Sequence, residues 1–343
     1  MNGLILSKHE LLQCVDLGYK DQEDDELRFP VRLSALGHCP RKTRALLSGA
    51  AKREFSARSL RIFEQGHDRG ARLAHVLHAG LGVHLLNLAH GDWKQLTEEE
   101  LHAAVAELGE RYQVHTEVEV WCPTQITGER AEQVVAAALK WQEDNDIHEP
   151  EKLSVMVNAE GVLCIRGRAD VVIVDKVLRQ FWVLDFKTKN SWGFKKLKDE
   201  GNSEDYEVQV LAYVRGFIHE QEEPWTCEGA WLYYEDHDKR NHEVVPVLLE
   251  DDGILDLAID RTSKLLRNWA TGGSIEEAPA IHAQPSKWTK KKHVGAAGCL
   301  PWQCNYCSVG PVIGGCVDTD LFRLEDIQGP NDEIPKWEVT STT

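Results

Sequence analysis

The sequence predicts an α/β fold, because segments with the character of strands and of helices alternate along its 343 residues. Residues 163–175 include the apolar run VVIV, which is typical of a buried strand. Residues 181–187 form a second strand segment after a short polar connection, which predicts a β-hairpin. Residues 204–217 then have the length and pattern of a helix. A strand pair followed by a helix therefore forms the centre of the predicted fold.

The other elements follow from hydrophobic periodicity and from turn residues at their ends. Helices are predicted at 57–86 and 98–112, a strand at 114–121, a helix at 131–143, a strand at 153–158, strands at 229–234 and 243–248, and a helix at 254–269. The chain thus divides into a helical N-terminal region at 1–110, an α/β core at 111–270, a basic loop with a cysteine cluster at 271–320, and an acidic tail at 321–343.

Composition restricts the class of protein. With 42% hydrophobic and 28% charged residues, the chain has the balance of a soluble globular protein of one or two domains. No apolar run approaches the length of a membrane span, and the N-terminal apolar stretch is too short for a signal peptide, so we expect a cytoplasmic protein without a membrane partner. The net charge of -17 argues against an indiscriminate coat on nucleic acid.

Two carboxylates and one lysine come together in the predicted hairpin. Antiparallel pairing of the strands at 163–175 and 181–187 brings Asp170 near Asp185. Asp185 and Lys187 are two positions apart, so both side chains point to one face of the strand. Acidic oxygens bind hard divalent cations, and a nearby ammonium suits a phosphate, so the group predicts metal-dependent phosphodiester hydrolysis.

The alternative for an Asp-x-Lys sequence is a solvated surface ion pair, which contributes little. Asp185 ends an apolar run, where an uncompensated charge is costly. Gln209 and Tyr213 also lie four residues apart on the predicted helix and so share one of its faces. Both observations favour a functional site.

These residues resemble the motifs of the PD-(D/E)XK nucleases, and in particular the RecB-like exonuclease branch. The motifs are Gly167-x-x-Asp170, Asp185-x-Lys187 and Gln209-x-x-x-Tyr213, in this order over about forty-five residues. The resemblance implies a restriction-endonuclease-like core, a mixed sheet flanked by helices. It also implies a DNA exonuclease acting on single strands or duplex ends.

The same resemblance implies a role for each motif residue. Asp170 and Asp185 would be ligands of Mg²⁺ or Mn²⁺, and Lys187 would orient or activate the attacking water. Gln209 and Tyr213 would support the active site or contact the nucleic acid.

The family usually adds an upstream histidine or glutamate, and here the pattern departs from it, because Gly70 stands where a ligand histidine often falls. His67 is the favoured metal ligand, with Glu64 behind it, and His75 is the other nearby histidine. Solvent exposure is the simpler interpretation of a histidine in a chain with 15 of them. Glu117 and Glu119 are a second source of the missing carboxylate, unless they lie on the exposed face of an edge strand.

Cysteines indicate a second metal centre. Cys304 and Cys307 have the spacing that lets two thiolates ligate one centre, and we do not expect disulfides in a cytosolic protein. In RecB-like and AddB-type nucleases one early and three late cysteines hold a [4Fe-4S] cluster. The resemblance assigns these roles to Cys39, Cys304, Cys307 and Cys316.

Two alternatives stay open at this centre. The gap before Cys316 is longer than the family's, so Cys299 is an alternative fourth ligand. Zinc is the alternative metal, since four thiolates suit it equally. The four other cysteines, Cys14, Cys122, Cys164 and Cys227, are expected to be ordinary buried or half-buried thiols.

Two lysine-rich segments with aromatic residues provide a local basic surface despite the net negative charge. One is at 187–198, with Trp192 and Phe194, and the other is at 287–292, with Trp288. Alternating cations and aromatics suit a groove that follows a single strand, whereas two solvated loops are the simpler interpretation. The alternatives to a nuclease are a non-catalytic nucleic-acid-binding protein and a partner-binding protein with a structural iron-sulfur or zinc site.

Overall fold

The fold is described from a computed structural model of the chain. The described residues are 29–49, 72, 75–76, 79–80, 83–87, 89–90, 92–236, 238–239, 241–250 and 252–274. Helices are α1 (Pro40–Leu47), α2 (Glu98–Arg111), α3 (Glu129–Asp144), α4 (Ser191–Glu200), α5 (Glu204–His219) and α6 (Asp252–Ala270). Strands are β1 (Tyr112–Thr127), β2 (Val155–Val157), β3 (Val162–Asp175), β4 (Gln180–Lys189), β5 (Thr226–Asp236) and β6 (His242–Pro246). Short 3-10 helices occupy Leu33–Ala35, Trp93–Gln95 and Pro150–Lys152.

The described strands form one mixed sheet in the order β1-β3-β4-β5-β6, with β2 paired to the first residues of β3. All pairs are antiparallel except β4 and β5, which run parallel. A parallel pair needs a crossover connection, and α4 and α5 supply it. The expected mixed sheet flanked by helices is therefore present.

Helix α5 packs most of its length against the sheet. Nine of its residues are buried, and they include both aliphatic side chains and the polar Gln209. Gly216 brings the helix close to β1, since a Cβ at this position would lie 3.2 Å from the backbone of Trp121 and Cys122. The buried apolar residues of α5 thus hold the helix, and with it Gln209, against the strands.

The hairpin between β3 and β4 is held by Asp175. This carboxylate is buried, accepts hydrogen bonds from Val177 and Leu178 backbone N–H groups at 3.0 and 3.1 Å, and accepts from Arg111 Nη2 at 2.7 Å. Arg179 completes the turn with a positive φ of 55°. The turn sets the register of the two strands, so that Val171 faces Leu184.

The N-terminal segment 33–37 packs against β3 and α5. Leu33 is fully buried against Gly167 of β3, where a Cβ would lie 2.7 Å from the leucine side chain. Gly37 lies against α5 in the same way, since its Cβ would be 2.5 Å from the Cα of Asp205. Both positions require glycine, because another segment of the same chain occupies the space that a side chain would need.

The predicted strands and the helices from residue 98 onward are confirmed, with boundaries that differ by a few residues. Helices α1 and α4 were not predicted, and the lysine-rich segment after β4 is helical where two solvated loops were the simpler interpretation. Asn190 starts α4 by accepting a hydrogen bond from Gly193 N–H at 2.7 Å, as an N-cap residue does.

Several predictions lie beyond this structure. Residues 50–71 and 275–343 are outside the described part, and the predicted helix at 57–86 is described only in short pieces, which are helical. The domain boundaries remain predictions. Among the described residues, no helix is both long and apolar enough to cross a membrane.

Candidate active site

The site begins where β3 and β4 separate. Their backbone pairing extends from Asp175 and Gln180 to Val171 and Leu184, and Asp170 and Asp185 are the next residues of each strand. Beyond this point β4 continues against β5 alone. The Phe186 N–H instead donates to Asp170 Oδ2 at 2.6 Å. The separation of the strands therefore creates a gap in the sheet that is lined by two carboxylates.

Asp185 and Lys187 point to the same side of β4, as the alternation of a strand predicts. The Asp185 side chain is 1% exposed, and its Oδ2 lies 2.5 Å from Lys187 Nζ. Burial raises the pKa of Asp185, and Lys187 opposes that rise. Burial lowers the pKa of Lys187, but the two aspartates outweigh burial and hold it above its ordinary value. The ammonium group therefore stays charged.

Asp170 is the second carboxylate of the site, and its pKa is raised as well. Burial and, next, the charge of Asp185 raise its pKa from 3.8 to about 7, although Phe186 N–H and Lys187 act in the opposite direction. Two carboxylates thus share one ammonium in a buried place, which leaves an excess of negative charge.

Gln209 and Tyr213 form the side of the site that α5 provides. Gln209 Nε2 lies 2.6 Å from the Tyr213 hydroxyl and 3.4 Å from Asp185 Oδ1. Both side chains are buried, and burial raises the pKa of Tyr213 well above its ordinary value, so this hydroxyl stays neutral. The structure thus brings together the five residues Asp170, Asp185, Lys187, Gln209 and Tyr213 that the motifs predicted.

Tyr206 and Lys189 are near the site and were not assigned to it from the sequence. The Lys187 and Lys189 ammonium groups each lie 5.0 Å from the centroid of the Tyr206 ring. A signal for Tyr206 was available, because it precedes Gln209 by three residues and therefore shares its helical face. Lys189 likewise continues the alternation of Asp185 and Lys187 along β4.

The chemistry of these residues fits a divalent cation. Carboxylate oxygens are the preferred ligands of Mg²⁺ and Mn²⁺, and the uncompensated charge on Asp170 and Asp185 would be neutralised by such an ion. Among the described residues, no set of three or more histidine, cysteine, aspartate or glutamate side chains is arranged to hold a metal. The two aspartates are therefore an incomplete ligand set within this part of the chain.

A comparison with models of protein families matches residues 30–312 to the PD-(D/E)XK nuclease superfamily. The chain belongs to this superfamily. Membership supports a metal-dependent nuclease with a nucleic-acid substrate, and the mixed sheet with its flanking helices is the restriction-endonuclease-like core of PD-(D/E)XK proteins.

The solved structure titled "Crystal structure of SSO0001" is 14% identical, covers 92% of this chain and 100% of its own, and has a TM-score of 0.35. A search of curated proteins finds no match.

The upstream ligand of this PD-(D/E)XK chain was predicted to be His67, which lies outside the described residues, as does Glu64. His75 is an exposed helical residue. Glu117 and Glu119 lie on the edge strand β1 and pair with Arg168 and Arg166 at 3.4 and 3.3 Å. This is the exposed arrangement that was the alternative to a ligand role, although Glu117 still contributes to the raised pKa of Asp170.

Of the four predicted cluster cysteines, only Cys39 is described. It is half-buried and immediately precedes α1, whereas Cys304, Cys307 and Cys316 lie outside the described residues, as does the alternative Cys299.

The prediction of ordinary thiols is confirmed for three of the other cysteines. Cys122 and Cys164 are buried and Cys227 is half-buried. Burial raises the pKa of Cys122 to about 12 and that of Cys164 and Cys227 to about 11, so these thiols remain protonated at neutral pH. Cys14 lies outside the described residues.

Proposed function

We propose that this protein is a DNA exonuclease of the RecB-like branch, which hydrolyses phosphodiester bonds of single strands or duplex ends with Mg²⁺ or Mn²⁺. The observation that carries the proposal is the buried pair Asp170 and Asp185 with one lysine at the point where β3 and β4 separate. Such a pair has too little compensating charge unless a cation joins it.

Each residue then has a definite task. Asp170 and Asp185 hold the cation, which when bound lowers the pKa of a water and neutralises charge that develops at phosphorus. Lys187 is charged and faces the same space, so it stabilises the attacked phosphate. Gln209 and Tyr213 keep Asp185 in position through their mutual hydrogen bond. His67 is the proposed upstream ligand.

The test uses end-labelled single strands and duplexes with Mg²⁺ or Mn²⁺. Asp185→Asn and Lys187→Met should each reduce cleavage by at least about 100-fold, the usual effect of removing one group that stabilises transition-state charge. The matched controls are Asp144→Asn and Lys140→Met, which change an exposed ion pair on α3 and should cleave like the wild type. Full activity in either site variant that is folded would contradict the proposal.

The mode of cleavage is tested with the same enzyme on a covalently closed circular single strand. An exonuclease needs an end, so we expect the circle to persist while linear strands of the same sequence are degraded. The label position in the linear products reports the direction of digestion. Degradation of the circle at an equal rate would replace the exonuclease with an endonuclease of the same chemistry.

We further propose that Cys39, Cys304, Cys307 and Cys316 ligate a [4Fe-4S] cluster, with zinc as the alternative. In support, the segment that leads to the late cysteines begins beside α1. Arg44 of this helix donates to the Gly273 carbonyl at 2.5 Å and to Asn268 Oδ1 at 3.4 Å. Cys39 therefore immediately precedes a helix that contacts Asn268 and Gly273, shortly before the segment that leads to the late cysteines.

Anaerobically purified protein should contain iron and sulfide and absorb near roughly 400 nm. Cys39→Ser should lose this metal, whereas Cys227→Ser, a half-buried thiol of β5, should retain it. Stoichiometric zinc in a colourless protein would identify the alternative metal, and unchanged iron content in Cys39→Ser would exclude Cys39 as a ligand.

A further inference from the structure

Two groups of lysines and aromatic rings lie beside the proposed reaction centre, and Lys196 of the outer group is close enough to lower the pKa of Lys189 in the inner one. Their residues are Lys187, Tyr206, Lys189, Tyr234, Lys196 and Trp192, which together we call the lysine–aromatic track. Lys187 lies 2.5 Å from Asp185, and Lys189 lies 5.0 Å from the Tyr206 ring and 5.2 Å from the Tyr234 ring. At the far end, Lys196 Nζ lies 5.9 Å from the Trp192 ring.

The inner half of the track is built into the core. Tyr234 lies on β5 directly opposite Lys187 and is fully buried, and Tyr206 lies on the first turn of α5. The rings therefore form a fixed support beneath the two ammonium groups. Cation–π contacts of this kind hold a lysine side chain in one place without neutralising its charge.

The inner half of the track carries positive charge at Lys187 and Lys189, which would attract an anion. Burial, together with the neighbouring Lys196 and Lys187, lowers the pKa of Lys189, and Asp205 only partly offsets them. Lys187 is paired with Asp185, and Asp205 is the carboxylate that acts on Lys189, so Lys189 is a cation beside two further lysines although the whole chain carries a net charge of -17. A concentration of positive charge beside the reaction centre is complementary to a phosphate backbone.

The outer half rests on α4, which is firmly attached to the sheet. Ser191 Oγ donates to both carboxylate oxygens of Asp236 at 2.9 and 3.1 Å, and Phe194 and Leu197 are buried. Trp192 projects from this rigid helix and is 56% exposed. An exposed indole on a fixed helix next to lysines is the arrangement that stacks bases of single strands.

We propose that the lysine–aromatic track is the binding site for the single strand of DNA that extends from the scissile phosphate, with Lys189 and Lys196 on its phosphates and Trp192 stacked on a base. The proposal rests on the proposed function for the nature of the strand. It adds a specificity: a substrate must present several unpaired nucleotides, because a base inside a duplex is stacked on its neighbours through both faces and leaves no face for Trp192.

The test measures binding without cleavage. A fluorescein-labelled strand of thymidines is titrated with the full-length protein in buffer without divalent cation. The strand is about 20 nucleotides long, so that it exceeds the about 4 to 16 nucleotides of typical single-strand sites. Trp192→Ala should weaken binding by roughly 5- to 150-fold, the range of one lost base stack, and Trp192→Phe should recover part of it. The logarithm of the binding constant falls linearly with the logarithm of the salt concentration. Lys189→Gln should make this negative slope shallower by about 0.7, the effect of one lost phosphate contact.

Two matched controls come from the β3–β4 hairpin, at the opposite end of β4 from Lys189. Leu178→Ala removes an apolar side chain that is also 56% exposed, and Lys176→Gln removes an exposed lysine. Both should bind like the wild type. Binding of Trp192→Ala and Lys189→Gln within about twofold of these controls would overturn the track. A uridine strand is the second arm, and losses confined to it would overturn the assignment to DNA.

Failure of the track and failure of the nuclease proposal give different results. If the wild type degrades DNA with Mg²⁺ while Trp192→Ala binds normally, the track is wrong and the nuclease stands. If the track variants lose binding but no protein cleaves DNA, the track stands and the catalytic proposal is wrong.

Discussion

Asp170→Asn should stabilise the metal-free protein while it abolishes cleavage. The substitution removes the charge of a carboxylate whose pKa is raised by burial and by Asp185, but it preserves an oxygen that can accept the Phe186 N–H. Burial and the charge of Asp185 place the pKa of Asp170 at about 7 in the folded protein, against an ordinary value of 3.8. The folded chain therefore holds a proton between about pH 4 and pH 7 that the unfolded chain has already lost.

The sign of the pH dependence follows from this difference. In the folded wild type the contribution of Asp170 to stability is complete below about pH 4 and is lost as the pH rises through about 7. A pKa unit corresponds to about 1.4 kcal/mol, so the full loss is about 4 kcal/mol. Asp170 is partly exposed, and solvent screening reduces this value, so we expect Asp170→Asn to raise the free energy of unfolding by about 1 to 4 kcal/mol at pH 8.

Urea unfolding followed by tryptophan fluorescence, in buffer without divalent cation, measures the effect. The useful quantity is the difference between Asp170→Asn and wild type at each pH, because contributions of other titrating groups cancel in it. That difference should be small near pH 4 and grow towards pH 8. Asp144→Asn, an exposed carboxylate on α3, should show no such growth.

Added Mg²⁺ provides the second half of the experiment. The cation neutralises the carboxylate pair only when it binds the folded state, so it should raise the stability of the wild type and leave Asp170→Asn unchanged. A variant that is no more stable than wild type at pH 8, or one that still gains stability from Mg²⁺, would refute the account of the site.

Three further predictions concern the support of the site. Gly167→Ala should destabilise the fold by about 1 to 3 kcal/mol in urea unfolding, because the new Cβ meets Leu33 at 2.7 Å, and Leu33→Ala should reduce that effect in a double-mutant cycle. Asp175→Asn should cost about 1 to 3 kcal/mol at pH 7. Against the effect of burial, hydrogen bonds from Arg111 hold the pKa of this carboxyl below 3.8, so the cost should shrink progressively as the pH falls below 3.8; a cost that does not change with pH would contradict this. Tyr213→Phe should lower kcat by about 10-fold with little change in KM, since its hydroxyl touches the residue that orients Asp185; a change confined to KM would show a substrate contact instead.

The geometry of the candidate site was predictable because it is local. The two strands of the hairpin are joined by a short turn. This turn fixes their register and places Asp170 next to Asp185. Alternation along β4 then puts Lys187 on the side of Asp185.

Helix α4 was missed for a local reason as well. Gly193 weakens its helical pattern, and the signal that was available is Asn190, whose side chain caps the first turn.

Spacing within a few residues predicts the strands, the hairpin and the residues that face each other across it, although it did not predict helices α1 and α4. Which distant groups join these residues depends on how whole elements pack in the folded protein. Tyr206 reaches the lysines of β4 because α5 packs on the sheet, and the close approach of Leu33 to Gly167 depends on a chain segment more than a hundred residues away. The contact between Leu33 and Gly167 leaves no periodic signal in the sequence, because it arises from the packing of whole elements and not from the geometry of one.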